Sequence, residues 1–186
     1  MQTTQYLAKV VEELSQTVHL ISDSEAEKLV NQILESKTIF VAGAGRSGLM
    51  GKSFVMRMMH MGIDAYVVGE TVTANLEKDD LLIIGSGSGE TKTLVAIAEK
   101  AKSLGGTVVA ITISPESTIG KLADAVLALP GTTKTDNNRE DSIFAQPMGS
   151  AFEQLAFLTF DGMIMNIMDE IGETSESMFQ RHADFE

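Results

Sequence analysis

The chain has 186 residues, 44% of them hydrophobic, which corresponds to one domain of ordinary size with enough apolar side chains for a real core. A net charge of −12 excludes a nucleic-acid binder of the usual basic kind, because phosphate backbones select basic faces. No run of about 18 uncharged apolar residues spans a membrane, and the N-terminus lacks the basic head and apolar block of a secretory signal. Without cysteine there are no disulfides or thiolate metal sites, so a cytoplasmic location is expected.

Residues 4–21 place Tyr6, Leu7, Val10, Val11, Leu14, Val18 and Ile21 at helical spacing. Ser22 with Glu25, or Ser24 with Glu27, then supplies a helix cap, and a second helix follows through Leu29, Ile33 and Leu34. Two helices ahead of the first strand predict an N-terminal hairpin, packed on the sheet or on another subunit. Thr38–Ala42 reads as a buried strand, followed by a helix from Leu49 to about Met61 whose methionines suit core or subunit contact. Four more strands are predicted at Ala65–Val68, Leu81–Ile84, Thr107–Ile113 and Ala125–Leu129. Between the last two, Ser114-Pro115-Glu116-Ser117 predicts a cap with proline at the first helical position. The polar tract from Pro130 to Ile143 predicts a mobile loop. Met148 to Ile171 is apolar enough for a long buried helix, and residues 174–186 form a short amphipathic tail. Strands alternating with helices at this interval predict a parallel sheet with helices on both faces, and ligands at the carboxyl ends of its strands.

Two glycine-rich turns lie at those ends. After Leu81–Ile84, the turn Gly85-Ser86-Gly87-Ser88-Gly89 has no bulky side chain and leads through Glu90, Thr91 and Lys92 into an amphipathic helix. Unpaired backbone N–H groups, the positive end of a helix and three hydroxyls on Ser86, Ser88 and Thr91 make an anion cradle that suits phosphate. In so acidic a chain the cradle has to work through local dipoles and a few placed cations, for which Arg46, Lys52 and Lys92 are available. The other turn, Gly43-Ala44-Gly45-Arg46-Ser47-Gly48, spells the dinucleotide fingerprint, with Glu70 at the end of the next strand. Three features weigh against that reading. No second domain follows, the third strand carries its own richer anion loop, and Arg46-Ser47 crowd a turn where pyrophosphate favours small residues. The second turn also lacks the Gly-Lys-Ser/Thr ending of a P-loop. Both turns are therefore expected to wall a single pocket.

The sequence Ser86-Gly87-Ser88-Gly89-Glu90-Thr91 matches the Ser-x-Ser-Gly-x-Thr signature of the sugar isomerase domain, and the chain resembles that family. Four segments in order, Gly43–Gly62, Ile84–Lys92, Gln146–Gln154 and the closing RHADFE, resemble its 6-phospho-3-hexuloisomerase branch over essentially the whole chain. The resemblance implies one domain over residues 1–186, a three-layer α/β/α sandwich with a five-stranded parallel sheet, extended by N-terminal helices 1–36 and the tail 174–186. It further implies a homotetramer with no metal or organic cofactor. The implied substrate is a phosphorylated hexulose, with D-arabino-hex-3-ulose 6-phosphate and D-fructose 6-phosphate interconverted in the ribulose monophosphate pathway. The 3-hexulose-6-phosphate synthase would be the pathway neighbour, and neither nucleic acid nor membrane is an expected partner. The rivals are another sugar-phosphate isomerase on this fold, such as an arabinose 5-phosphate isomerase, and a non-catalytic sugar-phosphate sensor.

Moving a carbonyl between C3 and C2 requires one group to take and return protons across a 2,3-enediol, and one carboxylate over both carbons suffices. Glu153, a charge flanked by Phe152 and Leu155 about one turn into its helix, is the candidate base. Arg46 either holds phosphate or polarises the enediolate oxygen. Ser47, Ser86, Gly87, Ser88, Gly89, Glu90 and Thr91 are the candidate phosphate contacts, although Glu90 is better suited to shaping a helix start than to binding an anion. His182 in the tail is a candidate proton relay, because related isomerases complete their site with a C-terminal histidine from a neighbouring subunit. His60, about 18 Å along its helix from the glycine turn, reaches only a neighbour's site or packs in the core or an interface.

Overall fold

The computed structural model describes residues 2–133 and 144–184. Most of the polar tract after Pro130 thus lies outside the described residues. Five strands, β1 (Ile39–Gly43), β2 (Ala65–Val67), β3 (Leu81–Gly85), β4 (Thr107–Thr112) and β5 (Ala125–Ala128), form one sheet in the order β2-β1-β3-β4-β5. Every pairing is parallel. The helices are α1 (Thr3–Thr17), α2 (Asp23–Glu35), α3 (Gly45–His60), α4 (Lys92–Ser103), α5 (Thr118–Leu122), α6 (Ser150–Ile171) and α7 (Ser175–Phe179).

Side-chain alternation along the strands divides the core between the two faces of the sheet. Ile39, Val41, Leu81, Ile83, Val109 and Ile111 point to the face covered by α2, α3 and α6. Phe40, Ala42, Leu82, Ile84, Val108 and Ala110 point to the face covered by α4 and α5. The central strands are buried on both sides, as their unbroken aliphatic runs require, and the architecture is the expected three-layer sandwich. Between α3 and α6, Phe54 and Phe160 stack with centroids 4.4 Å apart and planes 8° from parallel. Each ring is nearly solvent-free, a burial worth about 1.5–3 kcal/mol per side chain.

Ahead of the sheet, α2 starts at Ser22, whose hydroxyl accepts from the Glu25 N–H at 3.3 Å. This selects Ser22 rather than Ser24 as the cap. Glu25 in turn accepts from the Ala128 N–H at 2.9 Å, tying α2 to the edge strand β5. Helix α1 reaches the body through Leu14, packed against Phe144, Ala151 and Leu155, and through Glu13, a buried carboxylate that accepts from the Ala145 N–H and from Gln146 Nε2, each at 2.9 Å. Its Tyr6, Leu7 and Val11 stay exposed.

Two boundaries depart from the sequence expectation. Helix α3 begins at Gly45 rather than Leu49, so Arg46 and Ser47 belong to its first turn. Gly43 and Gly48 explain the early start: a Cβ on Gly48 would lie 2.7 Å from the Gly43 carbonyl oxygen. The motif's glycines thus let strand and helix pack closely. Helix α5 is capped by Ser117, which accepts from Gly120 N–H at 3.2 Å, not by Ser114 with Pro115 inside the helix. Pro115 sits in the preceding turn, and its carbonyl oxygen would lie only 2.0 Å from a Cβ on Gly120. The methionines of α3 and its C-cap divide as well, with Met58 and Met61 in the core and Met56 and Met59 exposed.

Candidate active site

A cavity of about 350 Å³ opens at the carboxyl end of the sheet. Ala44, Gly45 and Ser47 wall one side, Ser86, Gly87, Ser88 and Thr91 the opposite side, and Met148, Gly149, Phe152 and Glu153 a third. The two glycine turns therefore share a single cavity, and Thr132 and Thr133 contribute to its lining as well.

Three helices begin on its wall: α3 after Ala44, α4 after Thr91 and α6 after Gly149. In none of the three does the side chain of the N-cap residue, Ala44, Thr91 or Gly149, cap the first turn by a hydrogen bond. By contrast α2, α5 and α7 carry Ser22, Ser117 and Thr174 as working caps. A helix start leaves N–H groups without intrahelical partners and a positive partial charge, which anions satisfy. Three uncapped starts converging on one cavity give an acidic protein a local positive potential. The cradle turn adds its own order. Ser86, itself buried, accepts from Gly89 N–H at 3.2 Å, and its hydroxyl oxygen lies 3.4 Å from that of Thr91. Ser88 accepts from Glu90 N–H at 3.3 Å.

Glu153 is 3% exposed, in the first turn of α6. Its Oε2 accepts from Arg46 Nε, and the two form an ion pair across the α3–α6 contact. The arginine side chain is largely exposed while the carboxylate is not. The starts of α3 and α6 thus bring a buried carboxylate on the cavity wall together with a guanidinium that pairs with it without lining the cavity itself, so a group that can move a proton at carbon has a cation beside it.

Several sequence candidates lie elsewhere. Gly89 and Glu90 do not line the cavity. Glu90 turns outward, and its two oxygens accept from the N–H and hydroxyl of Thr118 at 2.8 and 2.7 Å. These bonds hold its carboxyl below the usual carboxylate range, helped by the nearby charge of Lys121. Lys52 pairs with Glu70 beyond the wall, and Lys92 is exposed. His182 stacks on His60 at 5.2 Å and on Phe179 at 6.0 Å. His60 is the last residue of α3, about 22 Å along the helix from Gly45 at 1.5 Å per residue. A separate cavity of about 430 Å³ lies there, lined by Arg57, His60, Asp161 and His182 among others. A single chain therefore does not bring His182 to Glu153. Thr132, Thr133, Met148 and Gly149 are lining residues that sequence reasoning did not single out. Met148 has a positive φ of 59°, a placement that only the fold reveals. Among the described residues no helix is long and apolar enough to cross a membrane, and no group of three or more His, Cys, Asp or Glu is placed to hold a metal ion.

Residues 32–156 match the SIS domain model. The chain is 52% identical to a 3-hexulose-6-phosphate isomerase of Bacillus subtilis over the whole of both chains. It is 37% identical to a 3-hexulose-6-phosphate isomerase of Mycobacterium gastri, covering 98% of this chain and 91% of that one. Among solved structures, a hypothetical protein of Methanococcus jannaschii, described as inferring a function of 3-hexulose-6-phosphate isomerase, superposes with a TM-score of 0.82. Its identity is 31%, covering 98% of this chain and 99% of that one. The chain belongs to the SIS domain family.

Proposed function

We propose that the protein is a 6-phospho-3-hexuloisomerase, interconverting D-arabino-hex-3-ulose 6-phosphate and D-fructose 6-phosphate through a 2,3-enediol. The observation that carries this reading is Glu153, a carboxylate 3% exposed in the cavity where three uncapped helix starts converge. Its full-length relatives in Bacillus and Mycobacterium carry the same activity in their names. The phosphate sits among Ser47, Ser86, Gly87, Ser88 and Thr91, and this remote binding energy fixes C2 and C3 over the carboxylate. Glu153 takes the proton from C2 of the hexulose, the electrons move to the C3 oxygen, the C2 hydroxyl proton passes to that oxygen as the C2 oxygen becomes the carbonyl, and the same carboxyl returns its proton at C3. Arg46 orients Glu153 and turns its remaining donors to the enediolate oxygens. Because the hexulose has its C6 oxygen phosphorylated, it cannot close a furanose onto that atom, and ring opening matters mainly for fructose 6-phosphate.

His182 serves the site of a neighbouring copy in a homotetramer, relaying protons or opening the fructose ring. Two features support the assembly: the outward face of α6 exposes Phe157, Leu158 and Met165, and His182 lies at the far end of α3. The setting is cytoplasmic, in the ribulose monophosphate pathway, with 3-hexulose-6-phosphate synthase supplying the substrate. The direct test is to feed the purified protein with D-arabino-hex-3-ulose 6-phosphate. Appearance of fructose 6-phosphate is the expected result; no product from a folded, phosphate-binding protein would sink the reading.

A further inference from the structure

Gly89 and Glu90 are the two cradle residues that do not face the cavity, and both are gripped by the segment that begins α5. Thr118 donates twice to Glu90, through its N–H at 2.8 Å and its hydroxyl at 2.7 Å. Ile119 N–H donates to the Gly89 carbonyl at 3.0 Å. Gly89 has φ +64°, and a Cβ there would lie 1.9 Å from Ser117 Oγ, so turn and cap touch without spare room. On the strand side, the Thr112 hydroxyl and the Ile113 N–H both donate to the Gly87 carbonyl at 3.1 Å. The cradle is thus fastened from behind at three residues, Gly87, Gly89 and Glu90.

Of these ties only the one through Glu90 is charged, and hydrogen bonds to a carboxylate are about twice as strong as neutral ones. A carboxylate in a turn that receives a phosphate dianion would repel it if it faced inward. Here its two oxygens are spent on Thr118, with Lys121 nearby as a compensating charge. A five-membered turn of glycines and serines has little rigidity of its own, so whatever fastens it decides how much ordering the phosphate must drive on binding.

We propose that Glu90 is a positioning residue for the substrate's phosphate: its paired bonds to Thr118 lock the cradle against α5 and keep the donors of Ser86–Thr91 aimed into the cavity, while Glu90 itself never touches substrate. The inference rests on the sugar-phosphate reading of the cavity.

Steady-state kinetics with fructose 6-phosphate, and thermal protection by inorganic phosphate, are measured for the wild type, Glu90→Ala, Glu90→Gln, Thr118→Val and the double variant Glu90→Ala/Thr118→Val. KM rises about tenfold in Glu90→Ala and less in Glu90→Gln, which keeps one acceptor oxygen, while kcat stays within about twofold. Thr118→Val, which alters no cradle residue, raises KM about threefold, and the double variant is no worse than Glu90→Ala because both changes cut the same tie. An unchanged KM in Glu90→Ala or Thr118→Val, additive effects in the double variant, or loss of kcat at constant KM overturns the positioning role. If the wild type gains no thermal protection from either inorganic phosphate or fructose 6-phosphate, the sugar-phosphate reading fails instead, so the two failures are told apart.

Discussion

Glu153 sits almost solvent-free in the first turn of a helix whose neighbouring residues Phe152, Leu155 and Ala156 are buried and apolar, paired with Arg46 from the first turn of another. A carboxylate facing a cavity is the arrangement proton abstraction needs. Glu153→Gln keeps the shape and removes the base. Turnover should fall by at least about 10³-fold, while fructose 6-phosphate still raises the melting temperature of the variant. Near-normal turnover would remove Glu153 from the mechanism. Ser88 tests the cradle separately. Its hydroxyl is on the cavity wall and its only tie within the turn is to Glu90 N–H. Ser88→Ala should raise KM for fructose 6-phosphate by about tenfold with kcat little changed. An unchanged KM would take Ser88 out of the phosphate site.

The site depends on how closely the elements approach one another. Gly43 and Gly48 let α3 start directly on the end of β1, and backbone rather than a flexible side chain stands where a methyl would go. Gly48→Ala should therefore destabilise the fold by about 1–3 kcal/mol, read as a lowered melting temperature and a weakened response to phosphate. A second tie joins the β4–β5 edge to α4: Asp124 accepts from Val108 N–H at 2.8 Å and pairs with Lys102. Burial opposes the charge of Asp124, but Lys102 and the Val108 N–H outweigh it and hold the carboxyl below its usual range. A depressed folded value stabilises at pH above the unfolded value and is lost as pH falls through the folded one. Asp124→Asn should therefore be less stable than the wild type at neutral pH and converge with it below about pH 4 in acid unfolding. The strands were legible because Leu81–Ile84 and Ile39–Ala42 are unbroken aliphatic runs between turn residues. The starts of α3 and α5 were not. Gly45 lies inside a motif that reads as loop, and Pro115 is a good first helical residue in isolation but here precedes the Ser117 cap. Glu90 shows the same limit more sharply. Its suitability for shaping a helix start was legible, but the helix it serves begins at Thr118, 28 residues away, and nothing local names that partner.

At the scale of the molecule, the cavity holds a cradle and a base, the base is paired with Arg46, and His182 stacks on His60 at the opposite end of α3. That separation was invisible in the sequence, where the tail has no neighbour, and it makes the role proposed for His182 a question of assembly. Closed homo-oligomers repeat the same contact in every copy, so two defects on different chains can complement. Glu153→Gln and His182→Ala should each be nearly inactive alone, and assembling them together in equal amounts should restore about a quarter of the wild-type sites. Absence of complementation in proven mixed oligomers would take His182 out of the neighbour's site. Whatever the assembly, the central claim concerns one bond, the carbon–hydrogen bond at C3 of fructose 6-phosphate. Incubation of the wild-type protein with fructose 6-phosphate in deuterated water, followed by proton NMR of the recovered sugar, reads that bond directly. Deuterium at C3 is the predicted result. Deuterium confined to C1 would mark an aldose–ketose isomerase, and no exchange at any carbon a non-catalytic binder; either contradicts the account.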